Sequence, residues 1–398
     1  METLEEEEEQ STMMVDRFPN EIIDDILSRL PVKSILRSRS VSKPWLSRIS
    51  DPSFTILHFA RHRTAVFIAA YDTLTRKRYF LSAAPDGGPV THLITFDDSY
   101  DTDYTAAEHL NGLVCFTCTK LFSGNDSVHA FIVNPSTRQM FKIPHPPYKT
   151  NYRHICFLFG FDECRNEHKI LVVRKALRST TVDFMVFCMS NYTWRKINAD
   201  PPADFSWDRL SCDLDAGVCV NGVVHMMLLD SSFDILGFDF KLEKLSFIRV
   251  PQAVVPRVNV TLYHRNGQDF MKSNKPFMMN INGCLGVVCH DSVTERNEIH
   301  VWILRDYDNR VWVKEIVTFP ESWIEVGSPL PLPVDVYMDE IIFSSRKVSG
   351  NVIRLHVYNM KTRCFKSLPQ VTLDDQFVSS ENMRFNHIKC YVENIMPL

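Results

Sequence analysis

The spacing of hydrophobic residues along the chain changes once, near residue 60. Before that point apolar residues recur every three or four positions, as they do on one face of an α-helix. Pro31 ends a first helix whose apolar residues are Ile22, Ile23, Ile26, Leu27 and Leu30. A second short helix is predicted over residues 33–39. A third is capped by Ser42 and is expected to turn three side chains inward, Trp45, Leu46 and Ile49.

This helical segment is too small to cover its own apolar surface. Three helices in about 40 residues fall at the size below which a domain usually needs a metal, a disulfide or a partner. No metal-ligand spacing and no cysteine pair lies in the segment. The uncovered surface therefore predicts a protein partner. The alternative is a helical cap that packs against the domain that follows.

From residue 63 to residue 398, apolar and polar residues alternate in runs of five to eight, as in half-buried β-strands. Three turn signals each precede a strand that contains Val or Leu: Asn111-Gly112, Asn221-Gly222 and Asn282-Gly283. The repeating unit spans about 40 to 60 residues, the size of a four-stranded propeller blade. We predict a multidomain α+β chain in which a short three-helix unit precedes a large all-β domain. That domain is expected to be a β-propeller of six or seven blades, with a stacked β-sandwich array as the competing architecture.

Closure of the predicted ring involves the end of the sequence. We expect residues 388–394 to pair with strands from near residue 64. Such pairing would join the last strand of the domain to the first blade.

Composition excludes several classes of protein. The chain has 398 residues, a net charge of −4, 45% hydrophobic residues and only 13 glycines, which favours neither a nucleic-acid binder nor a glycine-rich phosphate-binding enzyme. Residues 1–14 are expected to be a disordered acidic tail, since five consecutive glutamates lie there. The 11 cysteines form an odd set without compact pairs, and the start of the chain is acidic rather than basic and apolar. We expect the cytoplasm or nucleus, and no membrane anchor.

Candidate catalytic and metal-binding patterns are weak. Serine-hydrolase, dinucleotide and phosphate-loop motifs are absent from the sequence. His58 and His62 have the spacing of a zinc helix but lack the glutamate base, and Cys115 and Cys118 point to opposite faces if they lie on a strand. We therefore expect no catalytic residue, no metal and no cofactor. Better candidates for binding a target are loop aromatic residues, namely Phe205, Trp207 and Trp323.

The helical segment resembles an F-box. The resemblance rests on Phe18-Pro19, on Ile26 to Ser34 (Ile-Leu-Ser-Arg-Leu-Pro-Val-Lys-Ser), and on Val41-Ser42-Lys43-Pro44-Trp45. Phe18, Ser38 and Ser40 depart from the usual residues of that family. The remainder is similar to the F-box-associated domain of plant F-box proteins, through Asn111 to Cys115, Val133 to Arg138, Phe159 to Asp162, Tyr192 to Arg195, Val220 to His225, Phe238 to Phe240, Val301 to Leu304 and Tyr391 to Glu393.

This resemblance implies an F-box over residues 15–60 and a propeller-like interaction domain over residues 63–398. It also implies a non-catalytic adaptor: the F-box binds a Skp-type adaptor within a cullin–RING ubiquitin ligase, and the β domain binds a protein target that the sequence does not identify. Carried over by position, the adaptor-binding residues are Phe18, Pro19, Ile22, Ile26, Leu30, Pro31, Val32 and Leu36. Leu27 and Trp45 are expected to hold the helices together. The alternatives are a propeller enzyme with a helical cap and an F-box protein that acts outside a ligase.

Overall fold

In the computed structural model of the protein, four α-helices precede the first strand among the residues that the structure describes. They are α1 (Asn20–Leu27), α2 (Val32–Ser38), α3 (Lys43–Ile49) and α4 (Pro52–Arg61). The structure describes residues 19–61, 64–84, 87–97, 104–119, 128–147, 152–176, 182–210, 217–228, 230–255, 264–265, 268–269, 276–290, 296–320, 332–337, 339–344, 351–367, 370–378, 382–396 and 398. The predicted acidic tail, residues 1–14, lies outside these ranges.

Local sequence signals set the helix boundaries. Pro31 immediately precedes α2, and the Oγ atom of Ser42 accepts a hydrogen bond from the Trp45 N–H at 3.4 Å, which caps the start of α3. The helical unit, as we call residues 20–61, thus contains the three predicted helices and a fourth that follows Asp51.

In the described part of the chain after the helical unit, every element is a strand or a short turn of helix. The strands, in chain order, are β1 (Thr64–Asp72), β2 (Lys77–Ala83), β3 (Gly88–Pro89), β4 (Thr91–Asp97), β5 (Tyr104–Leu110), β6 (Leu113–Thr119), β7 (Val128–Asn134), β8 (Gln139–Lys142), β9 (Tyr152–Asp162), β10 (Glu167–Ala176), β11 (Val182–Cys188), β12 (Thr193–Ile197), β13 (Val218–Val220), β14 (Val223–Met227), β15 (Ile235–Asp239), β16 (Lys244–Ile248), β17 (His264–Arg265), β18 (Gln268–Asp269), β19 (Phe277–Ile281), β20 (Cys284–Cys289), β21 (Glu298–Asp306), β22 (Val311–Thr318), β23 (Leu332–Tyr337), β24 (Glu340–Ser344), β25 (Val352–Ile353), β26 (Leu355–Asn359), β27 (Cys364–Ser367), β28 (Val371–Thr372) and β29 (Met383–Val392). The helical turns are Trp207–Arg209, Gln252–Val254 and α5 (Asp375–Val378).

The strands form six four-stranded antiparallel blades. From the innermost strand outward they are blade 1 (β29-β1-β2-β4), blade 2 (β5-β6-β7-β8), blade 3 (β9-β10-β11-β12), blade 4 (β13-β14-β15-β16), blade 5 (β19-β20-β21-β22) and blade 6 (β23-β24-β26-β27). A three-stranded sheet (β25-β28-β3) joins the loops of blades 6 and 1, and β17 and β18 form a separate pair.

The blades close into a ring. Their innermost strands contact one another in the cycle β29, β5, β9, β13, β19, β23 and back to β29. A buried apolar cluster fills the space between each pair of consecutive blades, including blades 6 and 1. This arrangement is a β-propeller, which confirms the predicted fold and excludes the sandwich array.

Closure follows the expected pairing. β29 pairs with β1 in antiparallel register, with Ile388 opposite Ile68 and Val392 opposite Thr64. The last described strand of the chain is therefore the innermost strand of the first blade. Asn394 lies beyond this pairing and contacts blade 2 instead.

The three Asn-Gly pairs are the tight turns that they predict. They connect β5 to β6, β13 to β14 and β19 to β20, and in each the two residues have positive φ, for example 50° at Asn111 and 81° at Gly112. This backbone geometry is that of a type I′ turn, which matches the twist of the strands it joins.

Candidate functional site

The helical unit packs around one apolar cluster. Its buried members are Ile23, Leu27, Val32, Ile35, Ile49, Phe54 and Ile395. Leu30, Leu36 and Trp45 pack against it and are half-buried. The positions of Leu27 and Trp45 agree with the helix phase in the sequence. Ile395, by contrast, comes from the segment that follows the last strand of the propeller.

A second side of α1, about 100° around the helix from the buried one, is apolar and exposed. Ile22 and Ile26 are 45% and 56% exposed, although the neighbouring Ile23 and Leu27 are buried. Residues four positions apart lie on the same side of a helix, so Ile22 and Ile26 form one apolar surface, which we call the outer strip. Large apolar side chains in adjacent exposed positions are typical of a surface that binds another protein.

The other residues predicted to bind the adaptor are distributed unevenly. Pro19 and Pro31 are exposed, Leu30 and Leu36 are half-buried, and Phe18 lies outside the described residues. Val32 is only 2% exposed, because the first turn of α2 directs it into the cluster.

Three exposed apolar residues of the helical unit were not predicted as surface. Leu46 is 46% exposed, so the expectation that it faces inward was wrong; of Leu46 and Ile49, which lie three residues apart on α3, only Ile49 is buried in the cluster. Val41 and Ile56 are exposed as well. Helical periodicity over the short α3 did not distinguish Leu46 from the buried Ile49.

Ion pairs hold α1 in place on its polar side. Asp25 accepts hydrogen bonds from Arg29 Nε at 3.1 Å and from Arg61 Nη1, on α4, at 2.6 Å. These bonds hold the pKa of Asp25 below its ordinary value. Arg48, on α3, donates to Asp24 Oδ1 at 2.9 Å. α1 is thereby tied to α3 and α4, while the outer strip stays uncovered.

A short segment joins the helical unit to the propeller. This closing segment, residues 393–396, leaves β29 and crosses two turns of blade 2. The buried Asn394 donates from Nδ2 to the Asn111 carbonyl oxygen at 2.8 Å, and its N–H donates to Ser136 Oγ at 3.0 Å. Asn134 donates from Nδ2 to the carbonyl oxygens of Asn394 and Met396, at 3.0 and 2.8 Å.

The propeller has two sides that differ in what they carry. β5 runs toward the helical unit, since it ends at the Asn111-Gly112 turn on which Asn394 rests. The connections between consecutive blades, which start at the ends of the outermost strands, therefore lie on the opposite side. Trp207 belongs to the connection between blades 3 and 4, so it lies on the side away from the helical unit.

The connection that carries Phe205 and Trp207 is held tightly. Phe205 is only 7% exposed and belongs to the cluster between blades 3 and 4, so little of its side chain is accessible to a target. Trp207 is half-buried and packs 5.5 Å from the Phe184 ring. Lys175 Nζ donates to the Trp207 carbonyl oxygen at 3.0 Å, and Arg209 pairs with Asp230 at 2.8 Å. Trp323 lies outside the described residues.

Two of the candidate metal and redox residues, His58 and Cys115, are buried in the protein. His58 is buried and its Nε2 lies 3.1 Å from the Leu30 carbonyl oxygen. Burial raises the pKa of the Cys115 thiol. Across the ranges that the structure describes, no cluster of three or more His, Cys, Asp or Glu side chains is arranged to hold a metal ion. No helix in those ranges has the length and hydrophobicity needed to cross a membrane.

Comparisons with known proteins agree with this architecture. Residues 15–57 match the family described as F-box domain, and residues 59–392 match the family described as F-box associated beta propeller domain. One F-box protein of Arabidopsis thaliana is 25% identical over 406 aligned positions, which cover 95% of this chain and 93% of that protein. Another protein of that plant, described as a putative F-box protein, is 28% identical, over 80% of this chain and 72% of that protein.

Likeness to solved structures is distant. A protein of Bacteroides fragilis described as a putative 6-phosphogluconolactonase aligns with a TM-score of 0.40 and 9% identity, over 82% of this chain and 97% of that one. That level of likeness supports no functional inference. The sequence families cover both parts of the chain, and the chain therefore belongs to the F-box proteins that carry an F-box-associated β-propeller domain.

Proposed function

We propose that this F-box protein is the substrate-recruiting subunit of an SCF-type (Skp–cullin–F-box) E3 ubiquitin ligase. In this role the helical unit binds a Skp-type adaptor, which links it to a cullin–RING ligase. The propeller binds a protein target for ubiquitination. The protein contributes no catalytic residue of its own, because the ligase partners supply the chemistry.

The observation that carries the proposal is the outer strip. Ile22 and Ile26 are each about half exposed, although the cluster directly beneath them is complete without them. Burying the remaining surface of each against a partner would contribute about 1 kcal/mol. We propose that the adaptor covers the outer strip together with Pro19, Leu30, Pro31 and Leu36.

The arrangement of the two propeller sides supports recruitment of a target. The helical unit occupies one side, so a target bound on the opposite side would not compete with the adaptor. Trp207 lies on that opposite side, and its ring packs 5.5 Å from the Phe184 ring and 5.4 Å from the Phe205 ring. We propose Trp207 as a target contact, since a rigid aromatic side chain loses little conformational entropy on binding.

We propose that the protein works in the cytoplasm or nucleus. Nine cysteines of the described residues have free thiols, five of them buried in or between blades. A reducing compartment preserves such thiols.

Adaptor binding tests the proposal. The full chain and an Ile22→Asp/Ile26→Asp double variant are titrated with a purified Skp-type adaptor by calorimetry. An aspartate at either position would carry an unpaired charge into an apolar interface, so the double variant should bind at least about a hundredfold more weakly. Leu242→Asp is the matched control, because Leu242 is 60% exposed but lies in the propeller. Its affinity should equal that of the wild type.

The result that would overturn the proposal is a folded wild-type protein that does not bind the adaptor. Adaptor binding without assembly of a cullin complex would favour an F-box protein that acts outside a ligase. Assembly is read by adding the cullin to the same sample and measuring the mass of the complex.

A further inference from the structure

Ile395 belongs to the propeller in sequence and to the helical unit in space. It follows β29 by three residues, yet its side chain is fully buried in the cluster of α1–α4. The other six buried members of that cluster all come from residues 23–54. One propeller-borne side chain therefore completes the core beneath the outer strip.

The backbone of Ile395 is fixed from the propeller side. Its two neighbours are held by blade 2, because Asn134 Nδ2 donates to the carbonyl oxygens of both Asn394 and Met396. The Met396 N–H also donates to Asn394 Oδ1, at 2.8 Å. Ile395 thus projects from a segment whose position depends on a formed blade 2 and a closed blade 1.

The helical unit also contacts the backbone of Ile395. Arg39, which follows α2, donates from Nη2 to the Ile395 carbonyl oxygen at 3.4 Å. The guanidinium is half-buried, and burial lowers its pKa. Removal of the closing segment would leave this charged group without the carbonyl acceptor and the cluster with a cavity.

We propose that Ile395 is a positioning residue for adaptor binding. It touches no adaptor in this proposal and acts through α1 and α2, whose inner faces it supports. The adaptor-binding surface then forms fully only in a chain whose propeller has closed, so a chain with an incomplete ring is a poor ligase subunit. The expected effect on adaptor binding rests on the proposed function. The coupling between Ile395 and the helices is measurable without the adaptor.

Full-length Ile395→Ala, Ile395→Val and Met396→Ala proteins test the proposal. Met396 is the matched control, because it neighbours Ile395 but packs on the cluster between blades 2 and 3. Hydrogen–deuterium exchange followed by mass spectrometry reads the amides of residues 20–61 and of the blades separately. The affinity for a purified Skp-type adaptor is measured on the same samples.

We expect Ile395→Ala to speed exchange in α1 and α2 and to weaken adaptor binding about tenfold, because only a fraction of the molecules would hold a competent surface. Exchange in the blades should not change, and Ile395→Val should restore most of the affinity. Met396→Ala should leave the exchange of the helices unchanged.

Two results would overturn the inference. One is Ile395→Ala with wild-type exchange in α1 and α2; the other is wild-type affinity in that variant. If the wild type itself does not bind the adaptor, the proposed function fails, and with it the role of Ile395 in binding. The exchange rates of α1 and α2 distinguish that failure from a failure of the coupling.

Discussion

Asn134 Nδ2 donates a hydrogen bond at 3.0 Å to the carbonyl oxygen of Asn394, a residue 260 positions later in the chain. The same side chain shapes its own turn, because its Oδ1 accepts from the N–H groups of Ser136 and Thr137. One asparagine thus forms a local turn of blade 2 and fixes the segment that follows the closing strand. The Asn-Pro-Ser-Thr sequence at residues 134–137 is one of the pieces that resemble the family, and these contacts explain the role of its asparagine.

Replacing Asn134 should destabilise the protein beyond the loss of a turn. Asn134→Ala removes the two bonds to the closing segment, and each is worth about 1 kcal/mol. Asn359→Ala is the matched control, since Asn359 Oδ1 accepts from the N–H groups of Lys361 and Thr362 in the equivalent turn of blade 6. Asn359 Nδ2 also donates to Glu340 Oε1, at 3.4 Å, so Asn359→Ala removes one bond of this kind and Asn134→Ala removes two. Urea denaturation should therefore give a free energy of unfolding about 1 kcal/mol lower for Asn134→Ala than for Asn359→Ala. Equal losses would contradict the role of Asn134 in closure.

Two glycines in equivalent turns should respond differently to alanine. A Cβ atom at Gly112 would lie 2.4 Å from the Asn394 Cβ, whereas at Gly222 the nearest atom is a carbonyl oxygen at 3.6 Å. Both glycines have positive φ, 81° and 75°, so backbone strain should lower the free energy of unfolding of both variants by about 1 kcal/mol. Overpacking against the closing segment should lower the free energy of unfolding of Gly112→Ala by roughly a further 1 to 3 kcal/mol. Thermal unfolding of the two variants makes the comparison, and similar melting temperatures would argue against the tight contact.

Acid should destabilise the propeller well above the pH at which carboxylates titrate. Burial lowers the pKa of His168 and of His225 to about 4. In the unfolded chain the histidines have a pKa of about 6.5. As the pH falls from about 6.5 toward 4, the unfolded chain therefore binds protons at these two histidines and the folded chain does not. The free energy of unfolding should then fall by up to about 1.4 kcal/mol per pH unit for each histidine.

Urea denaturation between about pH 7 and about pH 5 measures this slope. His168→Gln is the informative variant, because glutamine cannot titrate but keeps a donor for the Leu110 carbonyl oxygen, which lies 3.2 Å from His168 Nε2. The variant should show a shallower decline. A slope identical to that of the wild type would mean that the pKa of His168 is the same in the folded and unfolded states.

Local signals predicted much of the fold. The Asn-Gly pairs specify type I′ turns through their own backbone preference, and the alternating runs specify strands through burial of one face. Closure by the segment from Ile388 onward was predictable because a propeller needs a strand to complete its first blade. The spacing of the repeats varies, so the sequence predicted six or seven blades. The described chain forms six four-stranded blades.

Packing between distant segments was not predictable in the same way. Val32 is buried and Leu46 is exposed, the reverse of what was expected. The shared cluster, rather than the periodicity of the short helices α2 and α3, sets which of their side chains are buried. Phe205 is in a connection, where exposure is common, but here the connection folds back on blades 3 and 4. No local signal links Ile395 to α1 and α2, since these segments are more than 350 residues apart.

The most direct test of the proposed function is a hydrogen–deuterium exchange footprint of the full chain with and without a Skp-type adaptor. We predict slower exchange over α1 and the start of α2, around Ile22, Ile26 and Pro31, and unchanged exchange in the outer strands of the six blades. Protection confined to the blades, or no protection at a saturating adaptor concentration, would contradict the assignment of the outer strip as the adaptor-binding surface.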